Sequence, residues 1–289
     1  MASIRLSLDD GEGTELTGFS WGRETDELVL CVAGGGGLVM PRYREFAASV
    51  AARGFFVVAL NSRGFGGGVG RMERVGMETN AQDVVNVLRK LGRHRAHLVG
   101  WAGGNRVMRL VAARHGQLAR SVVLLAAGGL YGPTVDAETL RRASEASSTK
   151  VSMSDEERVR LVKACMFAPS TADTRVREFV ESVLRSEAEG LIPSVPPESR
   201  AQAPDREEWW GGGEAPLLVV QGLDDRMAPV ENGRELKRQF GNRVKLVELR
   251  EAGHMLAYEQ AGACADAAVA FFTSLEPQDN GAPNQGGDC

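Results

Sequence analysis

The sequence predicts an α/β protein with a mostly parallel central sheet, helices on both faces and a helical insertion. Short, continuous apolar runs such as residues 28–33 and 55–60 are typical of strands buried on both faces. Amphipathic stretches separate these runs, and such alternation of strand and helix favours parallel strands joined by helical crossovers. Residues 130–213 break the alternation because they contain helical patterns and no strand-like run.

The individual elements follow from these patterns in order. Residues 3–8 and 14–20 alternate apolar and polar side chains around the turn signal Asp10-Gly11-Glu12-Gly13, which predicts an antiparallel hairpin at the sheet edge. Further strands are expected at residues 28–33, 55–60, from residue 97, at 121–125, 216–221 and 244–249. Helices are expected at residues 43–53, 79–91, 103–115, 137–147, 155–167, 174–189, 230–240 and 260–275.

The order of the elements predicts one core with an inserted piece. We expect residues 1–129 and 214–275 to form the core, and residues 130–213 to form a helical cap. Residues 276–289 are rich in Pro, Gly, Asn, Gln and Asp, a composition that predicts a disordered tail.

Composition limits the classes of function. The formal net charge is −4 and the basic residues form no stripe, so nucleic-acid binding is not expected. No apolar run approaches the roughly 18 residues of a membrane span, and residues 1–12 lack the apolar stretch of a secretory signal, so we expect a cytoplasmic protein. The four cysteines show neither a CxxC pair nor metal-ligand spacing, and nothing in the sequence indicates a metal, a flavin or a nicotinamide.

The stretch from His97 to Asn105 has the pattern of a buried strand, a glycine-flanked turn and a helix. Gly100 and Gly104 stand two residues before and two after Ala102, which is the spacing of the motif G-x-S-x-G. A side chain at either glycine would collide with the neighbouring strand or helix, so the turn forces its central residue outward. The sequence therefore predicts a nucleophile elbow whose central residue is an alanine, without a hydroxyl to attack.

Glycine-rich backbone at the ends of two strands offers N–H groups to a ligand. Gly35, Gly36 and Gly37 follow Gly34 after a buried strand, and N–H groups there can approach an anionic or carbonyl oxygen closely. The N–H of Gly103 is the other candidate donor of this oxyanion hole. A plain tight turn and a phosphate loop stay open as alternatives for the glycine run, although no G-x-G-x-x-G or G-x-x-x-x-G-K register fits.

An acidic residue and a histidine follow two later strands. Asp225 is the candidate carboxylate that orients a histidine, and Asp224 is interpreted as a turn or cap residue; the alternative is that both acids cap the following helix. His254 lies in a Gly-His loop and is the candidate base, with a structural imidazole as the alternative.

Together these segments resemble the α/β-hydrolase superfamily. The resemblance covers roughly residues 27–129 and 215–275, and the motifs that carry it are the glycine run 34–37 and residues 61–66, 100–104, 222–229 and 253–254. It implies an α/β-hydrolase fold with a triad of a nucleophile at Ala102, the acid Asp225 and the base His254. It also implies an oxyanion hole, no cofactor and a cap that selects a small-molecule substrate.

The resemblance implies an esterase-like hydrolase of a small, partly apolar ester, lactone or carbonyl compound, and Ala102 leaves three alternatives open. In the first, a serine has been replaced in an inactivated variant. In the second, the protein is naturally serine-free and His254, held by Asp225, is the base for hydrolysis or for a lyase, isomerase or cyclase reaction. In the third, the protein is a non-catalytic, receptor-like binder.

Further residues are candidates for substrate contacts. The expected apolar pocket under the cap is lined by Trp101, Phe65, Met255, Trp209 and Trp210. Arg63 and Arg106 are candidates to pair with a carboxylate on the substrate. Asn105 is expected to hydrogen-bond within the first turn of its own helix.

Overall fold

The computed structural model describes residues 1–34, 38–40, 42–73, 75–193 and 201–275, and these contain one eight-stranded sheet. Its strands are β1 (Ala2–Ser7), β2 (Glu15–Trp21), β3 (Glu27–Ala33), β4 (Phe55–Leu60), β5 (Ala96–Trp101), β6 (Ala119–Leu125), β7 (Leu217–Gly222) and β8 (Val244–Leu249). Their spatial order is β1-β2-β4-β3-β5-β6-β7-β8. The pairs β1–β2 and β2–β4 are antiparallel and all other neighbours are parallel, so the predicted fold class is confirmed.

Helices cover both faces of this sheet. In the part of the chain that the structure describes they are α1 (Arg44–Ala51), α2 (Met77–Lys90), α3 (Gly103–Arg114), α4 (Ala137–Ala146), α5 (Asp155–Met166), α6 (Asp173–Ala188), α7 (Arg206–Trp209), α8 (Glu231–Phe240), α9 (Leu256–Glu259) and α10 (Ala261–Ser274). Helices α1 and α10 pack on one face, and α2, α3 and α8 pack on the other. The single-turn helices α7 and α9 were not predicted. None of the described helices is long and apolar enough to cross a bilayer.

Alternate residues of the central strands belong to two separate cores. In β3, Val29 and Cys31 pack with α1 and α10, whereas Leu28 and Leu30 pack with α2 and α3. A strand places successive side chains on opposite faces. Both faces of β3 are therefore apolar, which explains the continuous apolar run in its sequence.

Helices α4 to α7 stand between β6 and β7 in the chain and form the helical insertion. Helix α4 packs against α5, and α5 packs against α6. Phe167 and Phe179 contact Tyr258 of α9, with ring centroids 6.2 and 5.8 Å apart, so the insertion shares an apolar core with the sheet face that α1 and α10 cover. The division into core and cap stays a prediction, and the predicted tail at 276–289 lies outside the described residues.

Candidate active site

The turn between β5 and α3 holds Ala102 in a strained conformation. Its φ is 52° and its ψ is −120°, a region that L-residues rarely adopt and that costs on the order of 1–3 kcal/mol. A Cβ built on Gly100 would lie 2.4 Å from the Cα of Asn105, and one built on Gly104 would lie 2.4 Å from the carbonyl oxygen of Val32. The close approach of backbone on both sides explains why this turn needs its glycines.

Asn105 fastens the elbow to the end of the neighbouring strand. Its side chain is fully buried, and its Nδ2 donates to the carbonyl oxygen of Ala126, 3.0 Å away. Its Oδ1 accepts a hydrogen bond of 2.7 Å from Nη2 of Arg109. The prediction that Asn105 bonds within its own helical turn is therefore wrong, because a residue beyond β6 supplies an acceptor that nothing local in the sequence reveals.

Removing the Asn105 side chain is expected to destabilise the fold. Asn105→Ala leaves the Ala126 carbonyl and one Arg109 N–H without their buried partner, which we expect to lower the free energy of unfolding by about 2–3 kcal/mol. Urea denaturation measures this loss. Asn86→Ala, on the partly exposed side of α2, is the matched control and should change stability by less than about 0.5 kcal/mol. Equal stability of the two variants would contradict this assignment.

Asp225 and His254 are brought together although β7 and β8 carry them separately. Gly222, the last residue of β7, pairs with Leu249, the last residue of β8. The loops that follow the two strands therefore lie side by side. Nδ1 of His254 lies 3.1 and 3.0 Å from Oδ1 and Oδ2 of Asp225. Since an ionised carboxylate can only accept, we assign the Nδ1 proton to the histidine, which leaves Nε2 free to accept a proton.

The carboxylate of Asp225 is itself held in place. Its side chain is completely buried, and Oδ1 accepts hydrogen bonds from the backbone N–H groups of Met227 and Ala228 at 2.9 and 2.8 Å. Both residues precede α8, so Asp225 orders its own loop and does not cap the helix. It can therefore order the loop and orient His254 at once.

Trp101 supports the histidine. Its indole N–H donates to the backbone carbonyl oxygen of His254 at 2.8 Å, and the two ring centroids are 5.3 Å apart. Only 4% of Trp101 is exposed. We therefore assign Trp101 to the support of His254, in place of the substrate contact predicted from the sequence.

Glu259, which the sequence analysis missed, joins the His254 loop to the helical insertion. Its Oε2 accepts the backbone N–H of Gly253 at 2.9 Å, and its Oε1 accepts from the Ala168 N–H at 2.8 Å and the Thr171 hydroxyl at 2.7 Å. Burial raises the pKa of the Glu259 carboxyl, and these three hydrogen bonds oppose that rise. The available signal was that Glu259 is the one acidic residue in the largely apolar segment 252–265.

The predicted oxyanion donors are only partly within the described residues. Gly35, Gly36 and Gly37 lie outside them. Gly34 packs so closely on the elbow that a Cβ there would lie 2.1 Å from the backbone nitrogen of Gly103. Gly103 begins α3, and the first N–H groups of a helix have no partner within it. The oxyanion hole stays a prediction.

Arg63 is not available to a substrate. Its side chain is 5% exposed, and it donates to Asp83 through Nε and Nη2 at 3.1 and 2.6 Å and to Glu12 through Nη1 at 2.8 Å. Burial lowers the pKa of the Arg63 guanidinium, but its hydrogen bonds to Asp83 and Glu12 outweigh burial and raise it. Arg63 is therefore not a candidate to pair with a substrate carboxylate, because acids from other parts of the chain already neutralise it.

A cavity of about 590 Å³ adjoins the elbow. Backbone of Gly34, Gly103 and Gly104 forms part of its wall, and Arg106 also lines it. The remaining wall is largely apolar and includes Phe65, Met77, Val107, Ile192 and Trp209, with Ser62 and Asn80 as polar groups. Trp210, a predicted pocket residue, lies instead in the core, where its ring centroid is 4.9 Å from the Arg109 guanidinium carbon.

Within the described ranges, no group of three or more His, Cys, Asp or Glu side chains could hold a metal ion. Cys31, Cys165 and Cys264 are free and buried. Burial raises the pKa of the Cys31 and Cys264 thiols, which keeps both in the neutral form.

The fold and the residues at its strand ends define the class of protein: a sheet of the α/β-hydrolase type with an elbow and an acid–histidine pair. A family model described as alpha/beta hydrolase fold matches residues 27–261. The chain therefore belongs to the α/β-hydrolase family, and the superfamily assignment made from the sequence is confirmed.

Solved structures of hydrolases share this fold. A serine hydrolase from the polyaromatic-hydrocarbon-degrading bacterium Cycloclasticus zankles is similar with a TM-score of 0.74 and 19% identity, over 96% of this chain and 100% of that one. A thermophilic esterase from Thermogutta terrifontis, bound to malate, has a TM-score of 0.72 and 19% identity over 95% and 99% of the two chains. A meta-cleavage product hydrolase from Pseudomonas fluorescens IP01, complexed with acetates, has a TM-score of 0.74 and 18% identity over 94% and 97%.

Proposed function

We propose that the chain is a cofactor-independent enzyme of the α/β-hydrolase type that works without a serine. Its substrate is a small, partly apolar ester, lactone or carbonyl compound. His254 is the general base, Asp225 orients it, and the N–H of Gly103 and one N–H from Gly35 to Gly37 receive the oxyanion.

The observation that carries this proposal is the intact pair of Asp225 and His254. Three N–H groups converge on the Asp225 carboxylate: the Nδ1–H of His254, which is shared between both oxygens, and two backbone N–H groups of its own loop. Trp101 fixes the backbone of His254 in addition. A binding protein needs no oriented base. Burying the Asp225 carboxylate beside a histidine costs desolvation free energy, and ligand binding alone would not require that arrangement. The strained turn at Ala102 also supports the proposal, because it leads directly into Gly103, whose N–H is the proposed donor to the reacting oxygen.

The proposed reaction replaces the serine with water. The reaction requires one water where the oxygen of a serine at position 102 would stand. His254 Nε2 accepts a proton from this water as its oxygen bonds to the carbonyl carbon, and the carbonyl electrons move onto the oxyanion held by Gly103. When the tetrahedral intermediate collapses, the bond to the leaving oxygen breaks and His254 returns the proton to it. Water, ester, acid and alcohol balance without a further reactant.

The cavity beside the elbow is the proposed substrate site. Its volume of about 590 Å³ is in the range of small-molecule sites, and it adjoins the proposed oxyanion donor Gly103. Pro193, Ala201, Ala203 and Trp209 from the helical insertion complete its wall. This placement supports the proposal that residues 130–213 act as a cap that selects the substrate.

The experiment measures hydrolysis of a panel of aryl esters and lactones by two proteins: the chain with Ala102, called the parent chain, and its Ala102→Ser variant. We expect the parent chain to hydrolyse at least one compound above the buffer rate. A fluorophosphonate probe, which needs a nucleophilic hydroxyl, should leave the parent chain unlabelled and label Ala102→Ser. Hydrolysis by Ala102→Ser alone would overturn the serine-free mechanism and identify the parent chain as an inactivated form.

The absence of a nucleophilic side chain at Ala102 favours a second candidate function. The alternative is a receptor-like protein that binds the same class of ligand and releases it unchanged. Ligand binding by both chains with turnover by neither would establish this alternative and exclude the enzyme.

A further inference from the structure

Arg106 presents a positive charge to the cavity beside the elbow. It lies on α3 four residues after Ala102, is exposed, and lines the cavity. Its guanidinium carbon lies 5.7 Å from the centroid of the Trp209 ring. Partial burial of its side chain is the one cause that lowers the pKa of Arg106, and no described carboxylate opposes this shift. Among the residues that the structure describes, this cation therefore has an aromatic neighbour and no counter-ion.

A second cation without a counter-ion lies one turn further along α3. Arg109 is fully buried and donates to the carbonyl oxygens of Gly128 at 2.6 Å and Trp210 at 3.3 Å, and to Asn105. Burial, followed by repulsion from Arg106, lowers the pKa of Arg109 to about 9. All its partners are neutral, so Arg106 and Arg109 together give the cavity wall a positive potential.

Comparison with Arg63 supports the assignment of Arg106 as the cation that is available to a ligand. The nearby Ser62 lines the same cavity, but the Arg63 guanidinium is neutralised by Asp83 and Glu12. Of the two arginines considered from the sequence, Arg106 is the one whose charge is left for a ligand.

We propose that the cavity binds amphiphilic monocarboxylates, with the carboxylate on Arg106 and the apolar body against Phe65, Met77, Val107 and Ile192. This inference rests on the proposed function and adds a substrate class to it: the ester, lactone or carbonyl compound carries a free carboxylate. A guanidinium matches a carboxylate with two parallel N–H donors, and such charge-assisted hydrogen bonds are about twice as strong as neutral ones. The apolar wall favours ligands with an apolar body, because burying that body against it adds to the binding free energy.

Calorimetry with one charged and one neutral probe tests the proposal. The probes are 4-phenylbutanoate and its neutral counterpart 4-phenylbutanamide, which have the same carbon skeleton. We expect the parent chain to bind the carboxylate at least about 10-fold more tightly than the amide, a preference that weakens at high salt. Arg106→Gln should remove the preference, and Arg106→Lys should keep part of it, because lysine keeps the charge and loses the paired donors.

A matched control separates the local cation from net charge. Arg89→Gln changes the charge equally at the exposed last turn of α2, away from the cavity, and should leave both affinities unchanged. Thermal unfolding of each variant checks that the fold is retained. Equal affinity of the parent chain for the two probes, or a preference that survives Arg106→Gln, overturns the proposal. 4-Phenylbutanoate has no leaving group, and chromatography after each titration checks that the amide is intact, so this result is independent of whether the chain catalyses a reaction.

Discussion

Replacing His254 with glutamine is expected to lower kcat/KM of the parent chain about 10²- to 10⁴-fold on any ester that it hydrolyses. Glutamine keeps polar atoms near Asp225 but cannot take a proton from water. The loss should fall mainly on kcat, because the base acts in the transition state and contributes little to ground-state binding. Asp225→Asn should reproduce much of the loss, since the amide no longer holds the Nδ1 proton that leaves Nε2 free.

The control for this measurement is the same substitution at an unrelated histidine. His94 is exposed and lies before β5, so His94→Gln should leave kcat/KM unchanged. Steady-state hydrolysis of a chromogenic ester by the parent chain and the three variants provides the comparison. Undiminished turnover in His254→Gln would remove the proposed base from the mechanism.

Replacing Glu259 with alanine is expected to cost about 2–3 kcal/mol of unfolding free energy and to reduce kcat as well. The substitution leaves the N–H of Gly253, the N–H of Ala168 and the hydroxyl of Thr171 without their common acceptor. The first of these groups adjoins His254, and the other two belong to the segment after α5. Glu259 therefore positions the base loop and fastens it to the helical insertion.

The pH dependence of the unfolding free energy shows whether Glu259 acts through its ionisable carboxyl group or only through the packing of its side chain. Because burial raises the folded-state pKa of Glu259, the unfolded chain loses this proton first as the pH rises. The stability that Glu259 contributes is therefore fully present below its unfolded pKa of about 4.3, and part of it is lost as the pH rises through the folded value. The stability advantage of the parent chain over Glu259→Gln should narrow over that interval.

Urea denaturation at several pH values measures this advantage, and Glu181→Ala on the exposed side of α6 is the matched control for removal of a carboxylate. The Glu181→Ala substitution should change neither the unfolding free energy nor kcat. A Glu259→Ala variant as stable and active as Glu181→Ala would contradict the positioning role. An advantage over Glu259→Gln that widens with rising pH would contradict the direction of the pKa shift.

The sheet could be predicted from the sequence because its signals are local. A run of six apolar residues marks β4, and four apolar residues begin β7; all residues of both strands are buried. The glycines around Ala102 mark the elbow because backbone contacts within a few residues demand them. The spacing of Asp225 and His254 after their strands predicted which side chains would meet, since parallel strands end at one edge.

The partners of long polar side chains could not be predicted, because they come from remote parts of the chain. Arg63 meets Asp83 and Glu12, which lie 20 and 51 residues away. Glu259 meets Ala168, which is 91 residues away. No periodicity connects such residues, so sequence reasoning considered Arg63 and Arg106 together although only one retains an uncompensated charge.

Intact-protein mass spectrometry of the parent chain during turnover of an aryl ester tests serine-free catalysis most directly. Direct attack by water predicts that the aryl alcohol is released at a constant rate from the first turnover, while the mass of the protein stays that of the free chain. A stoichiometric acyl adduct that forms and decays at the rate of turnover would contradict the account, because it would reveal a nucleophilic side chain that this mechanism does not contain.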